Sequence, residues 1–244
     1  MVLLHGFGAF HGVWDAIISR FSSSIRAIAY DLPGHGGSIA IPGNKPSASA
    51  RMIVADLDAR GVRHAHLVGH SMGGAIATLI ALANPGLVAS LTLLAPGGFG
   101  KEINCALLRR YAQAVSQEDI GACLAAMSAA GFDIAKETLD GMERMRALPG
   151  QTESLVEIAA AITRDERQGE IPREAISGLQ VPVRLLWGDA DPVLPFNQSA
   201  GWPSRFVMLR AEGAGHMLVE ERPDMVTALL ASAMATSSSP GNWA

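Results

Sequence analysis

Ser71 carries the strongest signal for catalytic chemistry in the sequence. It lies in the Gly-x-Ser-x-Gly pattern of Gly69-His70-Ser71-Met72-Gly73, after an apolar strand-like run and before the helix-forming segment 75–82. A strand, a sharp turn and a helix are the setting in which this pattern forms a nucleophile elbow. Glycine suits positions 69 and 73 because a Cβ there would crowd the strained serine backbone. The sequence therefore predicts a nucleophilic Ser71, the alternative being a glycine-rich loop with an incidental serine.

His216 is the histidine best placed to serve as the base that a serine nucleophile requires. It follows the last predicted strand in a Gly-x-Gly-His loop. Catalytic groups of open α/β sheets gather at the carboxyl ends of the strands, the edge where the elbow also lies. His64 and His66 instead precede or begin the elbow strand, near the opposite edge. We therefore predict that His216 is the general base.

Two carboxylates compete to orient that histidine. Asp189 and Asp191 both follow the predicted strand that precedes the histidine loop. Either can leave the sheet at the correct edge, and spacing alone does not choose between them. An aspartate in a turn also commonly accepts hydrogen bonds from backbone N–H groups, which is an alternative role for Asp189.

Apolar runs alternate with helical patterns along most of the chain, which predicts an α/β fold with a mostly parallel sheet flanked by helices. The strand-like runs are 1–4, 25–30, 66–69, 87–95, 181–187 and 205–209. The alternation stops after residue 98, and the helical segments 101–116, 118–130, 134–147 and 152–166 follow without a strand pattern. We therefore predict a core of residues 1–98 and 180–236, a helical cap insertion at 99–179 and a frayed tail at 237–244.

The bulk composition limits the classes of function. With 244 residues, 49% of them hydrophobic, and a net charge of −4, the chain has material for a large core and no basic surface for nucleic acid. It has no run of about 18 apolar residues and no signal-peptide pattern, which predicts no membrane association and a cytoplasmic location. The two cysteines, Cys105 and Cys123, lie in a helical stretch and are expected to be free buried thiols. No metal-ligand spacing or dinucleotide fingerprint is present, so no cofactor and no metal are predicted.

Five motifs together resemble the α/β-hydrolase superfamily, in its esterase-like serine hydrolase branch with a helical cap. They occur on both sides of the predicted insertion and follow the family's order of nucleophile, acid and histidine. The motifs are His5-Gly6-Phe7-Gly8, Asp31-Leu32-Pro33-Gly34-His35-Gly36-Gly37-Ser38, Gly69-His70-Ser71-Met72-Gly73-Gly74, Trp187-Gly188-Asp189-Ala190-Asp191-Pro192, and Gly215-His216 followed by Glu220-Glu221-Arg222-Pro223.

This resemblance implies roles for further residues. In the family's Trp-Gly-x-x-Asp pattern the acid is the second carboxylate, which implies Asp191 as the partner of His216. An oxyanion hole is implied at the backbone N–H groups of Phe7 and Met72, where they would stabilise the negative charge of a tetrahedral intermediate. His5 and His70 flank the site and are expected to make supporting hydrogen bonds.

The helical insertion supplies candidate substrate-binding side chains. Met127, Phe132, Met142 and Met145 are predicted to line an acyl pocket, the alternative being ordinary core packing at helical spacing. The expected partner is a small-molecule ester or related carbonyl compound, bound by a monomer or homodimer. The resemblance implies a carboxylesterase for small to medium acyl or alkyl groups.

Two other functions remain open. A carbon–carbon bond hydrolase of vinylogous diketone acids would use the same triad, with a substrate carboxylate bound by Arg109, Arg110, Arg144 or Arg146. A ligand receptor on this scaffold would retain the triad with marginal turnover.

The family usually has two strands before its His-Gly loop, whereas Met1 already begins the first parallel strand. The strand at 25–30 is therefore expected to be an exposed edge of the sheet.

Overall fold

Six parallel strands form one sheet in the order β2-β1-β3-β4-β5-β6. This computed structural model describes residues 1–22 and 25–237. The strands are β1 Val2–Leu4, β2 Ile28–Tyr30, β3 Ala65–His70, β4 Val88–Leu94, β5 Val183–Gly188 and β6 Val207–Ala211. Every neighbouring pair is parallel, so all six carboxyl ends meet at one edge. The predicted α/β fold with a mostly parallel sheet is confirmed.

The strand order reverses direction at β1, and this reversal positions the site. The chain moves from β1 outward to β2, then returns to place β3 on the other side of β1, with Leu4 beside Gly69. Ligands of open α/β sheets bind at such a reversal, outside the carboxyl ends of the strands. The loop that leaves β1 and the elbow that leaves β3 are therefore neighbours.

The central strands are apolar because the sheet is covered on both faces. All residues of β1 and β5 are buried, including the side chain of Trp187. Strands that are buried on both faces lose the alternation of polar and apolar residues. This explains why the strand signal in the sequence is a set of short continuous apolar runs.

Ten α-helices surround the sheet in the described part of the chain. The helix α3 packs on β3 and β4 beside α2, and α10 packs on β4 and β5 beside α1. The helices are α1 Asp15–Ile18, α2 Pro46–Ala59, α3 Met72–Ala83, α4 Cys105–Gln113, α5 Gln117–Met127, α6 Lys136–Arg146, α7 Gln151–Ile162, α8 Arg173–Ser177, α9 Leu218–Glu221 and α10 Pro223–Ser237. Short 3₁₀ turns occur at His11–Trp14, Gly36–Ser38, Pro85–Leu87, Arg164–Glu166 and Phe196–Ser199.

The helices α4 to α8 all lie between β4 and β5, and we call them the cap. No strand interrupts them within the described residues, as the sequence pattern indicates. The cap is tied to the sheet loops by buried hydrogen bonds. The Tyr111 hydroxyl donates to the Gly8 carbonyl over 3.1 Å, and the Gln151 amide donates to the Gly34 carbonyl over 2.8 Å. The cap boundaries at 99 and 179 stay a prediction.

The edge strand β2, the two cysteines, the helix lengths and the C-terminal tail each bear on a prediction from the sequence. The strand β2 pairs with β1 alone, so its predicted place at the edge of the sheet is confirmed for the described residues. Cys105 and Cys123 are buried free thiols, as expected. Within residues 1–22 and 25–237, no helix is both long enough and apolar enough to cross a bilayer. The predicted frayed tail begins at residue 237, where α10 ends, and residues 238–244 lie outside the described residues.

Candidate active site

The turn between β3 and α3 is a strained elbow with Ser71 at its tip. Ser71 has φ 52° and ψ −117°, a backbone conformation that is unfavourable for a residue with a side chain. A Cβ on Gly69 would lie 2.4 Å from the Gly73 carbonyl oxygen, and a Cβ on Gly73 would lie 2.2 Å from that of Leu4. Both positions therefore require glycine, for the reason that the sequence indicated. A Cβ on Gly74 would lie 2.8 Å from the Cβ of Pro96, so glycine at this position leaves room for that proline.

His216 and Asp191 form a buried hydrogen-bonded pair beside this elbow. The Nδ1 atom of His216 lies 2.7 Å from Oδ2 of Asp191. The other carboxylate oxygen, Oδ1, accepts from the backbone N–H groups of Val193 and Leu194, each over 2.8 Å. An ionised carboxylate only accepts hydrogen bonds, so Nδ1 of His216 carries a proton and Nε2 is the basic nitrogen of the neutral ring.

Asp189 has different hydrogen-bond partners from Asp191. Its carboxylate accepts from the Gly213 N–H over 2.7 Å and from Nε of Arg210 over 2.7 Å. The bond from Arg210 is the main reason that the pKa of Asp189 is lowered. Asp189 therefore ties the exit of β5 to the turn after β6, and Asp191 is the carboxylate that reaches His216.

Glu221 holds the loop that presents His216. Its Oε2 accepts from the N–H groups of Gly215 and Ala129, each over 2.9 Å, and its Oε1 accepts from the Met217 N–H over 3.0 Å. Glu221 lies in the last of the sequence motifs, but the motif alone predicts no role for it. Three backbone N–H groups around one carboxylate fix the loop, which a single sequence does not reveal.

Two buried histidines hold the loop that contains Phe7. Nε2 of His35 accepts from the Gly8 N–H over 3.0 Å, and Nε2 of His5 accepts from the Leu32 N–H over 3.0 Å. Burial lowers the pKa of His5 to about 4 and that of His35 to about 3, so both rings are neutral at neutral pH and can accept. The loops after β1 and β2 are thereby fastened to each other.

His70 supports the histidine loop from the elbow side. Its Nε2–H donates to the backbone carbonyl of His216 over 2.8 Å. Burial lowers the pKa of His70 to about 3, with a smaller contribution from the nearby His216, so the ring is neutral. Its buried hydrogen bond matches the supporting position expected from the sequence.

The backbone N–H groups of Phe7 and Met72 are available to an oxyanion. Met72 is the first residue of α3, so its N–H has no acceptor within the helix. The Phe7 N–H has no acceptor anywhere in residues 1–22 and 25–237. Both residues line one cavity together with Ser71. An oxyanion hole at these two N–H groups stays a prediction, which requires two such donors to stabilise the charge that develops beside a nucleophile.

Ser71 lies between two cavities of different size. The larger, of about 340 Å³, has mainly apolar walls that include Met72, Leu108 and Ile171. The smaller, of about 20 Å³, contains the ring of His216 in its lining. Ser71, Phe7 and Leu108 belong to both linings. Ser71 therefore borders both a cavity large enough for a substrate and a small cavity whose lining includes His216.

Three of the four predicted acyl-pocket residues lie elsewhere. Met127 lines the small cavity, but Phe132, Met142 and Met145 line neither cavity at Ser71. Met142 and Met145 are buried on a face of α6 that packs among the cap helices, and Phe132 is half-buried after α5. The structure places Met142 and Met145 in the hydrophobic core, and it places Phe132 outside both that core and the two cavities. Helical spacing predicts that a face is buried, but it does not predict which element covers that face.

The larger cavity is lined instead by residues that the sequence analysis did not single out. They come from α4, the end of α7, the segment before α8 and the loop after β5, namely Leu108, Ile162, Gln168, Ile171 and Leu194. The Ile171 N–H donates to the Gly98 carbonyl over 2.9 Å, which brings the segment before α8 over the elbow. No local pattern in the sequence announces this long-range bond.

With this geometry, the chain belongs to the α/β-hydrolase family. The family model described as the alpha/beta hydrolase family matches residues 1–229. Among solved structures, a meta-cleavage product hydrolase from Pseudomonas fluorescens is similar with a TM-score of 0.85 at 20% identity, over 97% of this chain and 90% of that chain.

The curated relatives include more than one activity. The dihydrolipoyllysine-residue acetyltransferase component of the acetoin cleaving system of Pseudomonas putida is 32% identical over 93% of this chain and 60% of its own length. The corresponding protein of Cupriavidus necator is 29% identical over 94% of this chain and 62% of its own length. A monoacylglycerol lipase of Xenopus laevis is 25% identical over 99% of this chain and 77% of its own length. The chain thus spans about three fifths of the length of the first two relatives.

Proposed function

We propose that this protein hydrolyses carboxylic esters through a Ser71-His216-Asp191 triad and an acyl-enzyme intermediate. The observation that carries the proposal is the buried pair of His216 and Asp191, in which His216 lines the same small cavity as the strained Ser71. Asp191 fixes the orientation and tautomer of the imidazole, as the acid of such triads does. Membership of a hydrolase family and likeness to a monoacylglycerol lipase support this proposal.

The proposed reaction has two halves. Ser71 Oγ attacks the ester carbonyl carbon while Nε2 of His216 takes the hydroxyl proton, and the resulting oxyanion accepts hydrogen bonds from the N–H groups of Phe7 and Met72. His216 then gives this proton to the departing alkoxide, leaving an acyl group on Ser71. Water reverses these steps: it attacks the acyl carbon, passes its proton through His216 to Ser71 Oγ, and releases the carboxylic acid.

The larger cavity favours an uncharged acyl group of medium length. Its volume of about 340 Å³ lies at the lower end of the range for small-molecule sites. Within the described part of the chain, no lysine or arginine lines either cavity at Ser71. Of the four arginines considered as carboxylate ligands, Arg146 donates to the carbonyls of Gly8 and Ala112, and Arg109 pairs with Glu166. These contacts weigh against the diketone-acid alternative.

Hydrolysis of p-nitrophenyl esters from acetate to decanoate tests the proposal. We expect fast turnover with an optimum at short to medium chains, and a loss of kcat by several orders of magnitude in Ser71→Ala with the fold intact. The exposed Ser204→Ala is the matched control and should keep full activity. Retained turnover in a clean Ser71→Ala preparation would contradict the mechanism.

Transfer of the acyl group to a thiol is a second candidate, favoured by the likeness to the acetyltransferase component of Pseudomonas putida. The same acyl-enzyme would pass its acyl group to a sulfur nucleophile in place of water. Adding dihydrolipoamide during ester turnover separates the two functions. A thioester product formed faster than the free acid would favour transfer, and unchanged acid release would favour hydrolysis.

A further inference from the structure

Glu220 contributes an unpaired carboxyl oxygen beside the proposed catalytic pair. It lies on α9, four residues after His216, and lines the small cavity together with His216 and Ser71. Part of the residue is exposed, but its Oε2 atom is enclosed and has no hydrogen-bond partner in the described part of the chain. Buried polar atoms are normally paired, so this atom requires an explanation.

The surroundings of Glu220 keep its carboxyl group neutral. Burial raises its pKa to about 8, so the group is mostly protonated at neutral pH. The titratable neighbours are Glu221 on the same helix, Tyr111 from α4 and His216. Among the described residues, no lysine or arginine lines this cavity, so Glu220 is not paired with either there. A neutral carboxyl group can accept a hydrogen bond at one oxygen without placing a charge beside His216.

The small cavity has the size of a single water molecule. Its volume of about 20 Å³ exceeds the roughly 10–15 Å³ that one water requires. A buried water also needs two or more polar partners, and the lining of this cavity includes the polar residues His216, Ser71 and Glu220. His216 lines this cavity and not the larger one. A water here would therefore lie on the side of the acyl-enzyme from which His216 can activate it.

We propose that Glu220 positions the hydrolytic water of the second half-reaction, an inference that rests on the proposed ester hydrolysis. One O–H of the water donates to Nε2 of His216 and the other donates to the unpaired Oε2 of Glu220. The water oxygen attacks the acyl carbon on Ser71, and its proton passes to His216. The bond from the carbon to Ser71 Oγ then breaks, and His216 returns the proton to that oxygen. Glu220 is a positioning residue and exchanges no proton.

Pre-steady-state turnover of p-nitrophenyl butyrate tests this role, because acylation gives the initial burst and deacylation gives the later steady rate. Glu220→Leu should slow the steady rate by about tenfold, the loss expected for one hydrogen bond, and leave the burst rate within about twofold. Acyl-Ser71 should then accumulate and be visible by intact-mass spectrometry. Glu220→Gln should keep the steady rate near wild type, because its amide oxygen accepts the same bond.

The controls separate this role from a loss of folding and from failure of the esterase proposal. Glu220→Met provides a second apolar variant of similar length, and the exposed Glu212→Gln should behave as wild type. Equal slowing of burst and steady rate, or no slowing at all, in both apolar variants would overturn the role of Glu220. Turnover that persists in Ser71→Ala without any acyl-enzyme would instead overturn the triad.

Discussion

Two aspartates separated by one residue have different surroundings. The carboxylate of Asp191 is buried, accepts from two backbone N–H groups and contacts His216. The carboxylate of Asp189 is closer to the surface and is paired with Arg210. A buried carboxylate that is fully hydrogen-bonded can hold an imidazolium in place, whereas an exposed ion pair contributes little free energy.

Asparagine substitutions should separate the two roles. Asp191→Asn should lower kcat by roughly 10³–10⁴-fold, because an amide N–H facing Nδ1 favours the wrong tautomer of His216. Asp189→Asn should keep kcat within about threefold and lower the free energy of unfolding only slightly, since it weakens an ion pair whose Arg210 side is exposed to solvent. Ester kinetics and urea unfolding of both variants measure the two effects. Equal losses of kcat would refute this division of roles.

The elbow between β3 and α3 shows how whole elements set the position of one side chain. β3 is held between β1 and β4, and α3 packs directly on β1, β3 and β4. The close approach of α3 to the sheet is possible because Gly69 and Gly73 have no side chains. The strained backbone of Ser71 persists because these packed elements determine where the turn can lie.

A glycine-to-alanine substitution in the elbow should lower the free energy of unfolding much more than the same substitution at an unconfined glycine. Gly73→Ala would place its Cβ 2.2 Å from the Leu4 carbonyl oxygen, so β1 and α3 would have to separate. We expect a loss of about 3 kcal/mol or more in the free energy of unfolding, together with a large loss of kcat. Gly86→Ala is the matched control, because its Cβ would meet no atom within 4 Å, and it should change stability by less than about 1 kcal/mol. Chemical unfolding of the two variants decides the matter.

At the scale of the whole molecule, buried neutral histidines connect the loops at the carboxyl edge of the sheet. The ring of His5 accepts from the Leu32 N–H and that of His35 accepts from the Gly8 N–H, which joins the loops after β1 and β2. The ring of His70 donates to the His216 carbonyl and joins the elbow to the His216 loop. Each of the three has a strongly lowered pKa because it is buried. The fold therefore depends on these rings staying uncharged.

This arrangement predicts a loss of stability in acid. Below pH 6.5 the unfolded chain binds a proton at each histidine, whereas folded His35, with a pKa of about 3, does not. The contribution of neutral His35 to the free energy of unfolding is complete above pH 6.5. It is lost as the pH falls towards 3, by up to about 1.4 kcal/mol per pH unit. When the pH is lowered from 7 to 5, the free energy of unfolding, measured with urea, should therefore fall by about 2 kcal/mol less in His35→Gln than in the wild type. The exposed His64→Gln should follow the wild-type pH dependence, and identical curves for all three proteins would contradict the prediction.

The sequence by itself determined the fold class and the elbow. These features depend on local chemistry: apolar runs form buried strands, and glycine is required at positions 69 and 73 because a Cβ there would clash with backbone atoms. Such requirements are visible in neighbouring residues because they act over a few bonds. The sequence also placed His216 and Asp191 after the correct strands, since parallel strands bring their carboxyl ends together.

Only the tertiary structure decided which surfaces of the cap face Ser71. The methionines at 142 and 145 share a buried face with ordinary helical spacing, yet that face packs inside the cap, while Leu108 and Ile171 reach the cavity. Periodicity reports that a face is buried, but the packing of distant elements determines its partner. The unpaired oxygen of Glu220 is likewise a property of the assembled cavity, because what surrounds it comes from α4, the elbow and the histidine loop together.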